Sequence, residues 1–526
     1  MIRGDGSAPQ LGGAWLGRTV YLWGFVLAPL IYGFAFPLHG WAWPAWIGLV
    51  PWCVAQRIAP TRLALAVCWV STLVGSYLCT PWLAPAVANY YQQPLILGIL
   101  LFVGIWLITI APYVTAFTLC YRRMAQRPSV WLPLLAGMAW AGAELGRVRL
   151  FIGEPFGLFG YSQLEARPLV QLADITGVYG ISFLLIAVNA AIAELWMAYS
   201  HRLRAQRMLT GAQAWTAAGL VAATLGVCVL YGAAQIHRLG DTATTTATRI
   251  SVVQANIDLG SQWRQEFYGR NLEDYMRLTV DALRAHKPQL VFWPESSMTF
   301  FLDEEPAYRG ALGRLLSPSQ TQLIAGGARE IGQPNARYYN SAFLIAPDGS
   351  ILDKYDKQEL LPFAEYFPFG GIELLKREFG RVREFTPGGP ARLLPTVAGL
   401  AGVIICNEVM FGEIAAERVR NGAGFLVTLT NDAWLGDRMY AEQAFDMARL
   451  RAIEQRRYLV RASMSGPSAI VDPTGRVLQR TPTDSRATLN GAIESRQGIT
   501  FYARYGDVFG LLCVLVPLAF ALTKRG

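Results

Sequence analysis

The spacing of long apolar runs is the feature that most constrains how this chain can fold. Such runs recur through residues 1–237, are absent over 248–496, and return once over 506–523. A helix needs about 20 mostly apolar residues to cross a bilayer. The pattern therefore predicts an N-terminal membrane domain, a water-exposed domain of ordinary globular composition, and a closing transmembrane helix.

The apolar runs predict a membrane α-helical bundle of about eight spans. The chain is 53% hydrophobic and 16% charged, whereas soluble domains carry about 25% charge. Two of the predicted spans are short and contain proline, which weakens them as membrane-crossing helices. The eight predicted spans are Thr19–Ala35, Trp41–Ala55, Leu63–Leu83, Pro94–Leu119, Val130–Ala143, Val178–Met197, Trp215–Ala234 and Val508–Leu522.

The short loops between these runs predict which side of the membrane carries the large domain. With eight spans, most loop arginines and the basic C-terminal tail fall on one side, whereas the loops Phe36–Gly40 and Ala84–Gln93 carry no Lys or Arg. Basic loops stay in the cytoplasm. We therefore expect an integral protein of a bacterial inner membrane with residues 248–496 on the periplasmic side. Membrane topology also explains the net charge of +9, so we expect no nucleic-acid partner.

Within 248–496, strand-like and helix-like stretches alternate, which predicts a layered α/β domain. Short apolar runs such as Gln289–Trp293 and Gly402–Ile405 read as strands, and Gln262–His286 and Ala441–Gln455 read as helices. Three polar residues, Glu295, Lys357 and Cys406, directly follow strand ends or turns. Active sites of α/β sheets gather where strands end and loops begin. Taken singly, each of these residues also has an ordinary structural interpretation.

Cys406 is the one cysteine of the seven that lies in this domain. A thiolate is a strong nucleophile and a thioester is a good acyl carrier. The thiol needs a base, and His286 is the one histidine in the domain. It precedes a predicted strand that ends just before Glu295, so it is expected at the far end of that strand. A carboxylate base is therefore favoured over a Cys–His pair.

Together these motifs resemble the nitrilase superfamily, and the whole chain resembles its membrane-embedded members, the apolipoprotein N-acyltransferase family. The resemblance lies in Trp293-Pro294-Glu295, in Lys357 with Leu361-Pro362-Phe363-Ala364-Glu365, and in Ile405-Cys406-Asn407-Glu408. Further similar segments are Val253–Ile257 with Trp263, Thr430–Asp437, and Trp140, Glu144 and Arg147 followed by Pro155–Gly157 and Phe159–Ser162.

The resemblance implies a fold, a reaction and roles for individual residues. The fold is a nitrilase-like α-β-β-α sandwich. Cys406 is the nucleophile, Glu295 the base, and Lys357 with the backbone N–H of Asn407 the oxyanion donors. Glu365 orients Lys357 and the acceptor amine, and Glu408 holds the site together. Substrate contacts are expected from Trp263, Phe363, Tyr366 and Trp434.

The implied reaction is a ping-pong acyl transfer. A phospholipid donates its acyl chain to Cys406, and the α-amino group of an apolipoprotein's S-diacylglyceryl cysteine then receives it. No cofactor or metal is implied, and a monomer suffices. Aromatic loops at Phe300–Leu302, Tyr366–Phe369, Met410–Phe411 and Trp434–Leu435 are predicted to gate acyl entry at the membrane interface, with core packing as the equal alternative.

Three positions depart from the family pattern, namely Asn407 in place of an aromatic residue, Ala364 in place of glycine, and Glu359 in place of histidine. Two other functions fit the sequence less well. One is a membrane-tethered amidase or another N-acyltransferase with the same triad. The other is a transporter or lipid-binding protein with an inactive outer domain, which the intact triad argues against.

Overall fold

A computed structural model describes residues 23–523 except 25, 31, 34, 36–40, 91, 152, 201–207, 241–246, 258–266, 333–335, 363 and 368–383. The side chain of Trp434 also lies outside the described part.

The N-terminal half is helical. Residues 23, 24, 26–30, 32 and 33 are helical. A 3₁₀ turn, Trp43–Trp46, precedes the helix Val50–Ile58, and another, Phe159–Gln163, follows the helix Leu132–Arg149. The helices are α1 (Val50–Ile58), α2 (Thr61–Cys79), α3 (Leu83–Tyr90), α4 (Leu95–Thr109), α5 (Ala111–Met124), α6 (Leu132–Arg149), α7 (Arg167–Val170), α8 (Ala173–Thr176), α9 (Val178–Tyr199) and α10 (Gly211–Gly240).

Several of these helices are apolar enough for a membrane. By length and composition, α2, α9 and α10 each suffice to cross one, and α4 and α5 suffice together but are bent by 41° between them. The shorter apolar helix Val508–Leu522 coincides with the predicted closing span. Because Ile110 and Pro112 interrupt the helix at the bend, the predicted span Pro94–Leu119 is two helices.

Two other predicted spans differ from the structure. Trp41–Ala55 is not one helix but the 3₁₀ turn and the nine-residue α1, because Pro44 and Pro51 each begin a new helical segment. A nine-residue helix is about 14 Å long and cannot cross a hydrocarbon core of about 30 Å. The predicted Val130–Ala143 continues as helix to Arg149 and buries Glu144 and Arg147. Thr19–Ala35 lies partly outside the described residues.

The α/β domain contains two six-stranded sheets among its described residues. One has the order β12-β1-β2-β3-β4-β5 and the other β11-β10-β9-β8-β7-β6. In each sheet three central strands are parallel, β1–β3 and β7–β9, and antiparallel strands flank them. The strands are β1 (Thr248–Gln254), β2 (Leu290–Phe292), β3 (Gln322–Ile331), β4 (Arg337–Ile345), β5 (Ile351–Asp356), β6 (Leu394–Thr396), β7 (Gly399–Ile405), β8 (Phe425–Thr430), β9 (Leu459–Ser463), β10 (Ala469–Val471), β11 (Val477–Arg480) and β12 (Ala487–Ile493).

The two sheets pack face to face between helical layers, as the predicted sandwich requires. Buried residues of both sheets, for example Val252, Phe292, Val403 and Val427, form one core. Helices α11 (Tyr268–His286) and α12 (Pro306–Leu316) cover the first sheet. Helices α13 (Gly412–Arg420) and α14 (Arg438–Gln455) cover the second, and their core continues into the membrane helices.

Polar contacts fix the α/β domain to the segment between α6 and α9. Arg456, at the end of α14, donates to Asp174 at 2.8 Å, and the two side chains form a buried ion pair. Arg449 pairs with Glu165 at 2.7 Å. The chain then leaves the domain through α15 (Phe501–Tyr505) and ends in α16 (Val508–Leu522). The second sheet's helical layer therefore rests on the membrane helices.

Candidate active site

Three strand ends bring Glu295, Lys357 and Cys406 together. Glu295 follows β2, Lys357 follows β5 and Cys406 follows β7. The three residues are 6%, 1% and 7% exposed. Because both sheets face each other, the ends of β2 and β5 in one sheet meet the end of β7 in the other. The sequence-predicted catalytic residues thus share one buried pocket.

The Lys357 ammonium lies between two carboxylates. Its Nζ is 2.7 Å from Glu365 Oε2 and 3.9 Å from Glu295 Oε1. The same Glu365 oxygen accepts the backbone N–H of Leu361 at 2.8 Å. A fully buried charge is tolerated only when it is paired, and these contacts hold Lys357 in one orientation.

Glu408 ties the Lys357 loop to the turn Cys406–Met410, which we call the nucleophile turn after the predicted role of Cys406. Its Oε1 accepts hydrogen bonds from the Tyr355 hydroxyl at 2.7 Å and from the backbone N–H groups of Gln358 and Glu359 at 2.8 and 3.2 Å. Its Oε2 accepts the N–H of Ile405 at 2.7 Å. The carboxylate is fully buried, and it connects the residues flanking Lys357 to the residue before Cys406.

Cys406 lies on a constrained turn between β7 and the 3₁₀ helix Cys406–Met410. Its φ of 52° is in the left-handed region, which costs a non-glycine residue about 1–3 kcal/mol and concentrates at functional sites. The side-chain amide of the next residue, Asn407, donates to the Glu359 carbonyl at 3.1 Å. Its Oδ1 is buried without a hydrogen-bond partner among the described residues.

Burial dominates the protonation of the site. It raises the pKa of the Cys406 thiol, and the Glu295 charge raises it further although Lys357 opposes this. Burial also raises the pKa of Glu295, against the charge of Lys357. For Lys357, burial lowers the pKa but the neighbouring Glu365, Cys406 and Glu295 charges outweigh it, so the pKa is raised. In the resting site Cys406 is therefore a neutral thiol, Glu295 is a carboxyl group with a raised pKa, and Lys357 is an ammonium ion.

Two asparagines hold the Glu295 carboxylate, and the sequence predicted neither as a site residue. The side-chain nitrogen of Asn340 donates to Glu295 Oε1 at 2.8 Å and to Glu365 Oε1 at 2.7 Å. The backbone N–H of Asn431 donates to Glu295 Oε2 at 2.8 Å. Asn431 belongs to a segment noted in the sequence, but Asn340 is a mid-strand residue of β4 with no motif around it.

A cavity of about 390 Å³ reaches from the nucleophile turn to the membrane helices. Asn407 and Met410 line its inner part, and Leu101 and Ile105 of α4 line the part within the helical half. Its walls are mainly apolar and aromatic, which suits a hydrocarbon ligand. Of the predicted substrate contacts, Tyr366 lines this cavity.

The other three predicted substrate contacts have side chains outside the described part of the structure. Trp263 and Phe363 lie outside the described residues, and so does the Trp434 side chain, although its backbone lies in the 3₁₀ turn Asp432–Trp434. Among the predicted gating loops, Met410, Phe411 and Leu435 line the cavity. Phe300 and Leu302 are instead buried in the core beneath α11 and α12, as the packing alternative expects.

Two family models match separate parts of the chain. Residues 249–500 match the model of the family described as Carbon-nitrogen hydrolase. Residues 28–191 match that of the Apolipoprotein N-acyltransferase N-terminal domain. The chain is 31% identical to an apolipoprotein N-acyltransferase of Geobacter metallireducens, over 93% of this chain and 92% of the relative. It is 32% identical to one of Bradyrhizobium diazoefficiens, over 73% and 72%.

Among solved structures, a carbon-nitrogen hydrolase from Helicobacter pylori G27 aligns with a TM-score of 0.37 and 20% identity, over 47% of this chain and 89% of that one.

A two-sheet sandwich with a buried Glu, Lys and Cys, joined to apolar helices, defines a membrane-associated enzyme of the carbon-nitrogen hydrolase class. The match along nearly the whole chain is more specific. The chain belongs to the apolipoprotein N-acyltransferase family.

Proposed function

We propose that this protein moves an acyl chain from a membrane phospholipid to the α-amino group of an S-diacylglyceryl cysteine at the start of an apolipoprotein. The acyl chain passes through a thioester on Cys406. The observation that carries the proposal is the position of the Glu295–Lys357–Cys406 group beside a 390 Å³ apolar cavity that extends to the membrane helices. Such a cavity can take a lipid chain directly from the bilayer.

In the first half of the reaction, Cys406 Sγ attacks the ester carbonyl carbon of the phospholipid. The thiol proton passes to Glu295, and the oxyanion is stabilised by Lys357 and the backbone N–H of Asn407. The ester C–O bond then breaks. Glu295 returns the proton to the leaving alcohol, so a lysophospholipid departs and a thioester remains.

In the second half, the acceptor's neutral amine attacks the thioester carbonyl carbon. Glu295 takes a proton from the attacking nitrogen, the C–S bond breaks, and an amide forms. The same proton restores the Cys406 thiol. The raised pKa of Glu295 suits a carboxylate that must accept and return a proton within one cycle.

The remaining residues have supporting roles. Glu365 orients Lys357 through its 2.7 Å contact and helps to position the acceptor amine. Glu408 couples the Lys357 loop to the nucleophile turn. Tyr366, Phe363, Trp263 and Trp434 contact substrate. The reaction as written requires no cofactor or metal.

The proposed placement follows the loop charges. Residues 1–237 form the N-terminal membrane domain, residues 248–496 the catalytic domain on the periplasmic side, and residues 506–523 the closing helix of a bundle with about eight crossings. The inner membrane of a bacterium supplies the phospholipid donor and the lipoprotein acceptor. One chain contains the whole triad, so a monomer is sufficient.

The mass of the purified protein after exposure to phospholipid vesicles tests the proposal. We expect an added acyl mass in the wild type and in Cys228→Ala, a control thiol on α10, but not in Cys406→Ala. A diacylglyceryl-cysteine peptide should then remove this mass and gain it on its amine. If the thioester forms but only water or another amine accepts the chain, the protein is an amidase or a different N-acyltransferase. If no thioester forms, phospholipid is not the donor.

A further inference from the structure

An aromatic cluster joins the two halves of the molecule beside the cavity. Trp82 follows α2, Phe156 follows α6, and Tyr440 is on α14 of the catalytic domain. The ring centroids of Trp82 lie 5.1 Å from Phe156 and 4.9 Å from Tyr440, and those of Phe156 and Tyr440 are 6.0 Å apart. All three line the cavity. We call this group the aromatic wall.

Hydrogen bonds to Gln443 fix the aromatic wall. Gln443 is three residues after Tyr440 on α14 and therefore lies on the same helix face. Its Oε1 accepts the indole N–H of Trp82 at 3.1 Å, and its Nε2 donates to the Cys79 carbonyl at 2.6 Å. These bonds pair the Trp82 indole N–H, the Gln443 amide and the Cys79 carbonyl. None of these groups therefore needs a water molecule as its hydrogen-bond partner.

The aromatic wall lines the same cavity as the turn that carries Cys406. Trp82 and Tyr440 are 5% and 3% exposed, and Asn407 and Met410 of the nucleophile turn line the same cavity. Burial raises the pKa of Tyr440 well above its usual range, and the next largest cause is the charge of Cys406. The Tyr440 phenol is therefore neutral.

A thioester at Cys406 has two competing nucleophiles. An amine gives the amide product described above. Water would attack the same carbonyl carbon, the C–S bond would break, and a free fatty acid would leave while the thiol regained its proton. Closing a site against water suppresses hydrolysis of reactive intermediates. A site that stores an acyl chain until an amine arrives therefore needs such closure.

We propose that the aromatic wall, built from both halves of the chain, keeps water from the acylated Cys406 and so directs the acyl chain to an amine. This inference rests on the proposed function, because it assumes an acyl-enzyme that waits for its acceptor. Trp82, Phe156 and Tyr440 act on the fate of the thioester and take no part in bond making.

The test measures how long the acyl-enzyme survives without an amine. Purified protein is acylated with a palmitoyl p-nitrophenyl ester, which loads Cys406 whether or not phospholipid is the natural donor. After excess ester is removed, mass spectrometry follows the loss of the acyl mass, and released palmitate is measured. We expect Trp82→Ala to shorten the lifetime at least about tenfold. Trp82→Phe, which keeps an apolar ring, should restore most of it.

Trp131→Ala is the matched control, since Trp131 is a membrane-half tryptophan that is 54% exposed and should leave the lifetime unchanged. If Trp82→Ala does not fold, Phe156→Ala removes a different ring of the aromatic wall and tests the same proposal. Unchanged lifetimes in both wall variants would overturn the inference while leaving the acyltransferase proposal intact. If the activated ester never acylates Cys406, both proposals are overturned. If the ester acylates Cys406 but phospholipid does not, this counts only against phospholipid as the donor.

Discussion

The side-chain nitrogen of Asn340 donates a hydrogen bond to Glu295 Oε1 at 2.8 Å. The second hydrogen on this nitrogen is available to Glu365 Oε1, which lies 2.7 Å away. A single amide thus sets the orientation of two carboxylates that would otherwise repel each other. The proposed base and the carboxylate that holds Lys357 are positioned by one neutral group.

Replacement of Asn340 should therefore damage the chemistry more than the fold. Asn340→Leu leaves both carboxylates without this buried donor, which costs about 1–3 kcal/mol and should slow acyl-enzyme formation by about 10- to 100-fold. Single-turnover mass spectrometry measures this rate. Asn490→Ala is the control, because Asn490 lies on the edge strand β12, where it accepts a hydrogen bond from Ser251, and its replacement should leave the rate unchanged. A similar loss in both variants would indicate general destabilisation.

The raised pKa of Glu295 predicts the acid limb of the pH profile. The proposed base works only as a carboxylate, and burial raises its pKa above the ordinary 4.5. Lowering the pH through that raised pKa protonates Glu295, so acyl-enzyme formation should fall at a pH above the range of an exposed carboxyl group. The rate of acyl-enzyme formation is measured at a series of pH values by stopping the reaction at set times.

Glu295→Gln should lower the rate by about 10²–10⁴-fold and remove the acid limb. The exposed Glu304 provides a Glu304→Gln control that should keep the profile. An unchanged acid limb in Glu295→Gln would show that another group titrates.

Glu408→Gln should uncouple the Lys357 loop from the nucleophile turn. Both carboxylate oxygens accept hydrogen bonds from donors, so an amide NH₂ must face at least one N–H or O–H group. Leaving such buried donors unpaired costs about 1–3 kcal/mol. We expect a lower thermal unfolding midpoint together with slower acylation. Glu417→Gln changes a partly exposed partner of Arg418 and should shift neither by a comparable amount.

The sequence placed Glu295, Lys357 and Cys406 after strand ends or turns, which local pattern can predict, and the resemblance to the nitrilase superfamily assigned their roles as a triad. The strands β6 and β12 were not predicted. β6 contains Pro395, and β12 reads Ala-Thr-Leu-Asn-Gly-Ala-Ile, with neither alternation nor a β-rich run. The strand β12 forms because β1 offers an antiparallel edge with Thr248 opposite Ile493, which local pattern does not encode.

The contacts that position the site residues could not be predicted from local sequence pattern either. Trp82 and Gln443 are 361 residues apart in sequence, and Asn340 approaches Glu295 only when β3 and β4 pair. In the membrane half, apolar composition predicted the helices, but prolines divided the span predicted over Trp41–Ala55. Burial of Glu144 and Arg147 within α6 likewise depends on neighbouring helices.

The helical end of the cavity should determine which acyl chains enter. Ile105 lines the cavity from α4, whereas Ile108, one turn later on the same helix, is 52% exposed. Ile105→Trp fills cavity space, so acyl-enzyme formation from phospholipids with long chains should fall relative to phospholipids with short chains. Ile108→Trp adds the same volume to the exposed face and should leave the ratio unchanged. Mass spectrometry of Cys406 after exposure to a mixture of chain lengths gives the ratio for each variant.

Equal losses at every length in Ile105→Trp would mean that the helix has shifted as a whole. An unchanged ratio would mean that the acyl chain lies elsewhere and that the cavity serves another part of the substrate.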